Sequence, residues 1–244
     1  MSYLDIHLHA LPGVDDGPEE ITESLLLLKG MTDLGFSAAV VTFHLDADHE
    51  DRSGIAEKSY NELRKAASDQ GGIGLSGYTA EHRIDPLFLR NYNTGRVLCY
   101  PGTRFVLVEG TLGPAGLPPN LNEILFRLHL KGLRPILAHP ERYDTIQADP
   151  GILSALRDGG TWMQLDLQSL VSGYGRAAEK AAKQLLEKGL YDVAASDLHH
   201  AKDLDQLGRS LEALASQLGQ EEVERLLGKG PAEVAAWASG ETTR

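Results

Sequence analysis

His7 and His9 stand two residues apart near the start of the chain. On a β-strand, residues i and i+2 point to the same side, so both imidazoles can reach one ion. Asp197-Leu198-His199 repeats that spacing near the other end, with a carboxylate in the first place. Between these two points, single groups of the same kind follow short apolar runs. His44 follows residues 38–43, Glu81 follows the run near Gly77, Glu109 follows 105–108 and His139 follows 135–138. Asp15-Asp16-Gly17 adds two acids in a loop. Imidazole and carboxylate together suit Zn, Fe or Mn, and the lack of thiolates argues against a structural cysteine site.

Taken singly, each group has an ordinary explanation. Asp15-Asp16-Gly17 reads as a turn and helix cap, although one Asp could cap while the other ligates. An acid after an apolar run is most often an exposed loop residue, and Arg142 most often a surface salt bridge. The remaining histidines, His49, His82, His129 and His200, read as surface or packing residues. Repetition is what points to a site: five histidines (His7, His9, His44, His139, His199) and four carboxylates (Asp16, Glu81, Glu109, Asp197) at one sheet edge. Four clustered carboxylates without cations would repel one another and take up protons.

The elements that must position these groups alternate along the chain. Strands are expected at 3–8, 38–43, 73–79, 105–108, 134–138, 161–167 and 193–196. Helices are expected at 19–34 (opened by Pro18 and ended by Gly35), 54–68, 121–131, 151–157 and 177–188. A mostly helical tail runs from Asp203, and residues 110–119 form a loop. This alternation argues for a parallel sheet covered by helices, whose C-terminal edge is where sites are built. An open doubly wound sheet and a closed barrel fit the pattern about equally well.

Composition narrows the class. The chain has 244 residues, 42% of them apolar, enough for one α/β barrel domain spanning 1–244. Its net charge of −12 argues against a nucleic-acid partner. Cys99 is the only cysteine, so no internal disulfide can form, which fits a reducing compartment. The first residues show no secretory pattern and no apolar run is long enough to insert into a membrane. A cytoplasmic protein is expected.

Asp5-Ile6-His7-Leu8-His9, followed by Leu11-Pro12-Gly13-Val14-Asp15-Asp16-Gly17, resembles the opening of the polymerase-and-histidinol-phosphatase (PHP) superfamily. Glu23-Ser24-Leu25, His139-Pro140-Glu141-Arg142, Gln168-Ser169-Leu170 and Ser196-Asp197-Leu198-His199 resemble later segments of its bacterial protein-tyrosine phosphatases of capsule and exopolysaccharide systems. The resemblance implies an α/β fold, a distorted TIM-like (β/α)7 barrel, holding three divalent metal ions: Mn2+, with Fe or Zn as alternatives. It implies one ion on His7, His9, Glu81 and Asp197. A second would lie on Glu81, Glu109 and His139, and a third on Asp16, His44 and His199. Glu81, bridging two ions, and Arg142, binding substrate phosphate, are the catalytic residues so implied. The substrate would be a phosphotyrosyl protein, such as a membrane-associated tyrosine kinase of polysaccharide export.

The chain departs from that pattern at Phe43 and Leu45 around His44, at Gly110 after Glu109, and at His200-Ala201-Lys202 after His199. The departures thin the basic residues expected near substrate and bring in Asp46, an expected repelling charge. Two other readings therefore stand beside the first: a phosphoesterase for a small-molecule phosphate, and a metal-binding regulator without catalysis.

Overall fold

The computed structural model describes residues 2–70, 73–113 and 116–237. Met1, two positions of the expected 110–119 loop and the last residues of the helical tail lie outside them.

Seven strands form one parallel sheet in sequential order: β1 (Tyr3–Leu8), β2 (Phe36–Leu45), β3 (Gly74–Arg83), β4 (Phe105–Glu109), β5 (Arg134–Ala138), β6 (Trp162–Asp166) and β7 (Val193–Ala195). The helices are α1 (Ile21–Asp33), α2 (Arg52–Gln70), α3 (Pro86–Thr94), α4 (Leu121–Leu130), α5 (Asp144–Ala148), α6 (Gly151–Asp158), α7 (Arg176–Glu187), α8 (Leu204–Gln217), α9 (Gln220–Glu224) and α10 (Gly230–Val234). Short 3-10 turns follow three strand ends: Pro140–Arg142, Leu167–Val171 and Ala201–Asp203.

The sheet is a nearly closed barrel, not an open sheet. Just past β7, Asp197 N donates to His7 O at 2.9 Å and His9 N donates to Leu198 O at 3.0 Å. Leu8 and Leu198 form a parallel bridge. Asp5 braces this seam from within: its Oδ1 accepts from His7 N (3.0 Å) and Ser196 N (3.4 Å). At the opposite end Val234 and Ala235 pack with Ile6, Val40, Phe105 and Ile136 in a small inner core. Thr103 Oγ1 donates to Val234 O at 2.7 Å and ties that cap to the barrel. The larger core lies between sheet and helices, as burial of parallel strands on both faces requires.

Several expectations differ from the structure. Strands β2 and β4 run on to Leu45 and Glu109, so His44 and Glu109 lie within their strands and not after them. The strand expected at 73–79 continues to Arg83, so Glu81 lies within β3 and not after it. Its ladder persists because Glu81, His82 and Arg83 pair with Leu107, Val108 and Glu109 of β4. Pro18 does not open α1, which starts at Ile21 behind Glu20. The chain before it passes close to β1, where a Cβ on Gly17 would stand 2.5 Å from His9 O. Helix α3 was not anticipated; Asp85 caps it through Phe88 N at 2.9 Å, Pro86 begins it, and Gly95 ends it in the left-handed region.

Candidate metal centre

The strand ends bring all nine expected groups together. His7 and His9 leave β1 on one side, with their Nε2 atoms 3.0 Å apart. His7 Nε2 lies 3.1 Å from Asp197 Oδ1 and 3.3 Å from Glu81 Oε2. Ligand atoms of His7, His9, Glu81 and Asp197 all fall within 4.8 Å of one another. A second such set is His9, Asp16, His44 and His199, with Asp16 Oδ1 3.5 Å from His44 Nε2 and 3.4 Å from His199 Nε2. A third is His44, Glu81 and Glu109. His139 Nε2 stands 2.9 Å from Glu81 Oε1 and 4.0 Å from Glu109 Oε2. His44 thus sits between two sets, and Glu81 meets four histidines.

The electrostatics of the cluster demand positive charge. Burial disfavours the charged form of His7, but Glu81 and Asp197 beside it prevail and raise its pKa to about 10. Burial also opposes charge on His44, and Glu81 and Glu109 again prevail, pushing it well up. Glu81 is buried too, yet His7 and His44 hold it well below the usual carboxylate range. Asp197 is likewise held low against burial by His7, His199 and Arg142. Protons on histidines and cations on their ring nitrogens are alternative ways to neutralise the same acids. Glu81 Oε2 and Asp197 Oδ1 are buried and make no well-formed hydrogen bond, although imidazole nitrogens stand near both. Such lone pairs are costly to bury unsatisfied, and divalent cations would satisfy them. The residues present therefore fit a multinuclear site of imidazole and carboxylate ligands.

The rings are oriented from behind. Asp15 Oδ2 lies 2.7 Å from His9 Nδ1 and accepts from His44 N at 3.0 Å. Burial would raise the Asp15 pKa, but His9 outweighs it and takes it down to about 2. So Asp15 orients while Asp16 faces the cluster, and neither caps α1. Gln164 Oε1 lies 3.2 Å from His7 Nδ1, and Asp197 O lies 2.9 Å from His199 Nδ1. These contacts leave Nε2 of each ring for the cluster. The backbone is also constrained here: His139 (φ 38°) and Asp197 (φ 48°) are left-handed, a costly state for residues with side chains.

Above the cluster opens a cleft of ≈510 Å³. Arg142 reaches it from the turn after β5, with Nη1 donating to Asp197 Oδ2 at 2.7 Å and to Asp166 Oδ2 at 3.4 Å. Burial opposes its charge, but these two acids raise its pKa further. Its guanidinium lies 3.7 Å from the centre of the Tyr174 ring.

Sequence reasoning missed Arg83, Gln164 and the orienting role of Asp15. Arg83 also lines the cleft and donates to Glu109 Oε1 at 3.2 Å, so the basic character lost around His44 is partly restored from β3. The signal was available, since Arg83 stands two residues beyond Glu81 on one strand. Asp46 is not part of the cleft lining; it is 6% exposed, pairs with His49 Nδ1 at 2.7 Å and stands 3.7 Å from Arg83 Nη1. His49, His82 and His129 lie away from the cleft lining, whereas His200 lines it, with Nδ1 3.0 Å from Glu23 Oε1. Glu141, beside Arg142, is fully buried and accepts from Asp166 N and Tyr191 OH.

Known proteins resemble this chain in sequence and in fold. The sequence matches the family described as "Capsular polysaccharide synthesis, CpsB/CapC" over residues 3–236. It is 29% identical over 198 residues to CapC of Staphylococcus aureus, covering 80% of this chain and 76% of that protein. It is 24% identical over 246 residues to tyrosine-protein phosphatase CpsB of Streptococcus pneumoniae, covering 95% and 97%. The fold superposes with a TM-score of 0.80 on a chain from work on YwqE of Bacillus subtilis and CpsB of Streptococcus pneumoniae, described there as unique metal-dependent tyrosine phosphatases. The identity in that match is 25%, over 90% of this chain and 89% of the other.

Proposed function

The chain belongs to the CpsB/CapC family of capsular polysaccharide synthesis, and from that premise we propose that it is a metal-dependent phosphatase that hydrolyses phosphotyrosine in a protein. The observation that carries this reading is the convergence of nine imidazoles and carboxylates, with Glu81 Oε2 and Asp197 Oδ1 in no well-formed hydrogen bond, beneath a cleft that holds Arg142.

Three divalent ions suit the three groupings, Mn2+ first among them, with Fe and Zn as alternatives. His7, His9, Glu81 and Asp197 would hold one, Glu81, Glu109 and His139 another, and Asp16, His44 and His199 the third. His9 and His44 also lie within reach of a second set. When bound, such ions supply an acidified water as nucleophile and positive charge toward phosphoryl oxygens. The chain's own residues do the rest. Glu81 joins two groupings through its two oxygens. Asp15, Gln164 and the Asp197 carbonyl keep the His9, His7 and His199 rings from turning. Arg142, held by Asp197, Asp166 and Tyr174, offers its remaining N–H groups to phosphoryl oxygens and offsets charge that gathers there. A tyrosine phenolate, of pKa about 10, leaves with little need of protonation, so the cleft requires no strong general acid.

The whole chain acts as one catalytic domain in this reading, in the cytoplasm, on a phosphotyrosyl protein such as a membrane-associated tyrosine kinase of polysaccharide export. Among the described residues no helix is long and apolar enough to cross a membrane, and the charge of −12 disfavours nucleic acid. Chelation followed by Mn2+ addition, assayed on phosphotyrosyl and phosphoseryl peptides of one sequence, tests it. Activity should vanish, return with Mn2+, and be faster on phosphotyrosine. Equal rates, or preference for a small alkyl phosphate, would move the substrate to small molecules. No hydrolysis at full metal occupancy would leave a regulator.

A further inference from the structure

The cleft is lined almost wholly by charged and polar side chains, yet two large apolar ones stand exposed in it: Leu112, 40% exposed, and Tyr174, 36% exposed. They arrive from the loops after β4 and β6, the two neighbours of β5, whose end carries His139 and Arg142. Tyr174 is held in place. Its ring carries the Arg142 guanidinium, and Gln168 Nε2 donates to its hydroxyl at 3.3 Å. Gln206 Nε2, from α8, donates to Gln168 Oε1 at 3.2 Å. Next to it, a Cβ on Gly173 would collide with the Gln206 amide and stand 2.8 Å from Gln168 O, so this loop is seated tightly against α8.

We propose that Tyr174 and Leu112 form the wall that receives the aromatic ring of the substrate and thereby select aryl over alkyl phosphates. This rests on the phosphotyrosine reading and names the part of the site that would read the tyrosine. The metal-type ligands and Arg142 meet groups common to every phosphate monoester, so they cannot tell a phenyl ester from an alkyl one. Discrimination must come from surface that touches the ester group. An aromatic ring gains from contact with another ring and with an aliphatic side chain, and neither contact places a charge against it. An exposed Tyr beside Arg142 and an exposed Leu in the same cleft meet that requirement, and the bracing of Tyr174 keeps its ring in place before the ligand arrives.

The test is calorimetric binding of phenylphosphonate and methylphosphonate to the Mn2+-loaded full chain, since neither is turned over. The wild-type protein should bind the phenyl compound more tightly. Tyr174→Ala should reduce the phenyl-to-methyl affinity ratio about tenfold and Leu112→Ala about threefold, with Mn2+ content unchanged. Tyr174→Phe should keep most of the ratio. An effect passed through Arg142 alone would weaken both ligands alike and leave the ratio as it was. A ratio unchanged in either alanine variant overturns the proposal. Failure of the phosphotyrosine reading shows separately, as wild-type protein that leaves phosphotyrosyl peptides intact.

Discussion

Asp15→Asn removes one charge from behind the cluster without touching a ligand. The Asp15 side chain is fully buried and lies 2.7 Å from His9 Nδ1. Its pKa stands at about 2 against an ordinary 3.8, with His9 as the main cause overcoming burial. That is nearly two units, so its surroundings, His9 first and then His44, favour the Asp15 carboxylate by about 2.5 kcal/mol net of burial. A cation on His9 Nε2 draws on the same attraction. Asn keeps the shape and can still accept from His44 N, so the fold should survive while Mn2+ binding weakens about 10- to 100-fold. Chelator-competition titration of the metal-free protein measures this, with circular dichroism as the check on folding. Raising Mn2+ should then restore much of the lost turnover. Mn2+ affinity equal to that of the wild type would refute the reasoning, and so would turnover that stays lost at saturating Mn2+.

Glu81→Gln should abolish activity and lower Mn2+ content, because Glu81 meets four histidines; Glu141→Gln should show mainly as lost thermal stability, since Glu141 accepts from Asp166 N and Tyr191 OH in the core. Metal analysis and melting curves on both variants separate the two effects. Arg142→Ala should raise KM for phosphotyrosyl peptide roughly tenfold or more with metal content intact, and a matched loss of metal would instead assign Arg142 to holding Asp197. His82 is 1% exposed, and burial takes its pKa from 6.5 to about 4 despite its bond to Leu98 O. The unfolded chain therefore binds a proton that the folded one refuses between those values. Stability is full above pH 6.5 and falls by up to about 3 kcal/mol as pH drops toward 4. Urea unfolding of His82→Gln across pH 7.5 to 4.5 should show a shallower acid decline than the wild type, and parallel curves would reject the assignment.

Most of the candidate positions were legible because His44, Glu81, Glu109 and His139 each follow an apolar run, where a polar group is conspicuous. The strand boundaries were less so, for a related reason. Glu81 looked like a residue beyond its strand because Glu81-His82-Arg83 breaks the apolar run, yet the ladder to β4 continues through all three. A barrel that binds cations puts polar side chains on its inner face, and that face then reads as a loop. Helix α3 carried ordinary signals in Asp85, Pro86 and Gly95, but it buries only Leu87, Phe88 and Tyr92, a short apolar stripe to find by periodicity. The roles of Asp15 and Asp16 could not be divided from sequence, because adjacent acids differ only in which partner each meets. Gln164 is paired with a residue 157 positions away, a separation that no local pattern reveals.

Closure of the barrel was implied by the family resemblance and not by the alternation of elements, because it depends on contacts between the first strand and the last. The seam is made by Asp197 N to His7 O and His9 N to Leu198 O. Three of the residues in those two bonds, His7, His9 and Asp197, are also the side chains whose ligand atoms gather with Glu81. Backbone pairing across the seam therefore fixes the spacing of the cluster. The left-handed Asp197, φ 48°, is where both demands fall on one residue. Its amide closes the barrel toward His7 while its carboxylate turns to His7 Nε2 at 3.1 Å and to Arg142 at 2.7 Å. A residue in an ordinary strand conformation would continue the ladder but would not turn there. The strain is thus set against two sets of contacts at once, which explains how a non-glycine residue persists in that conformation.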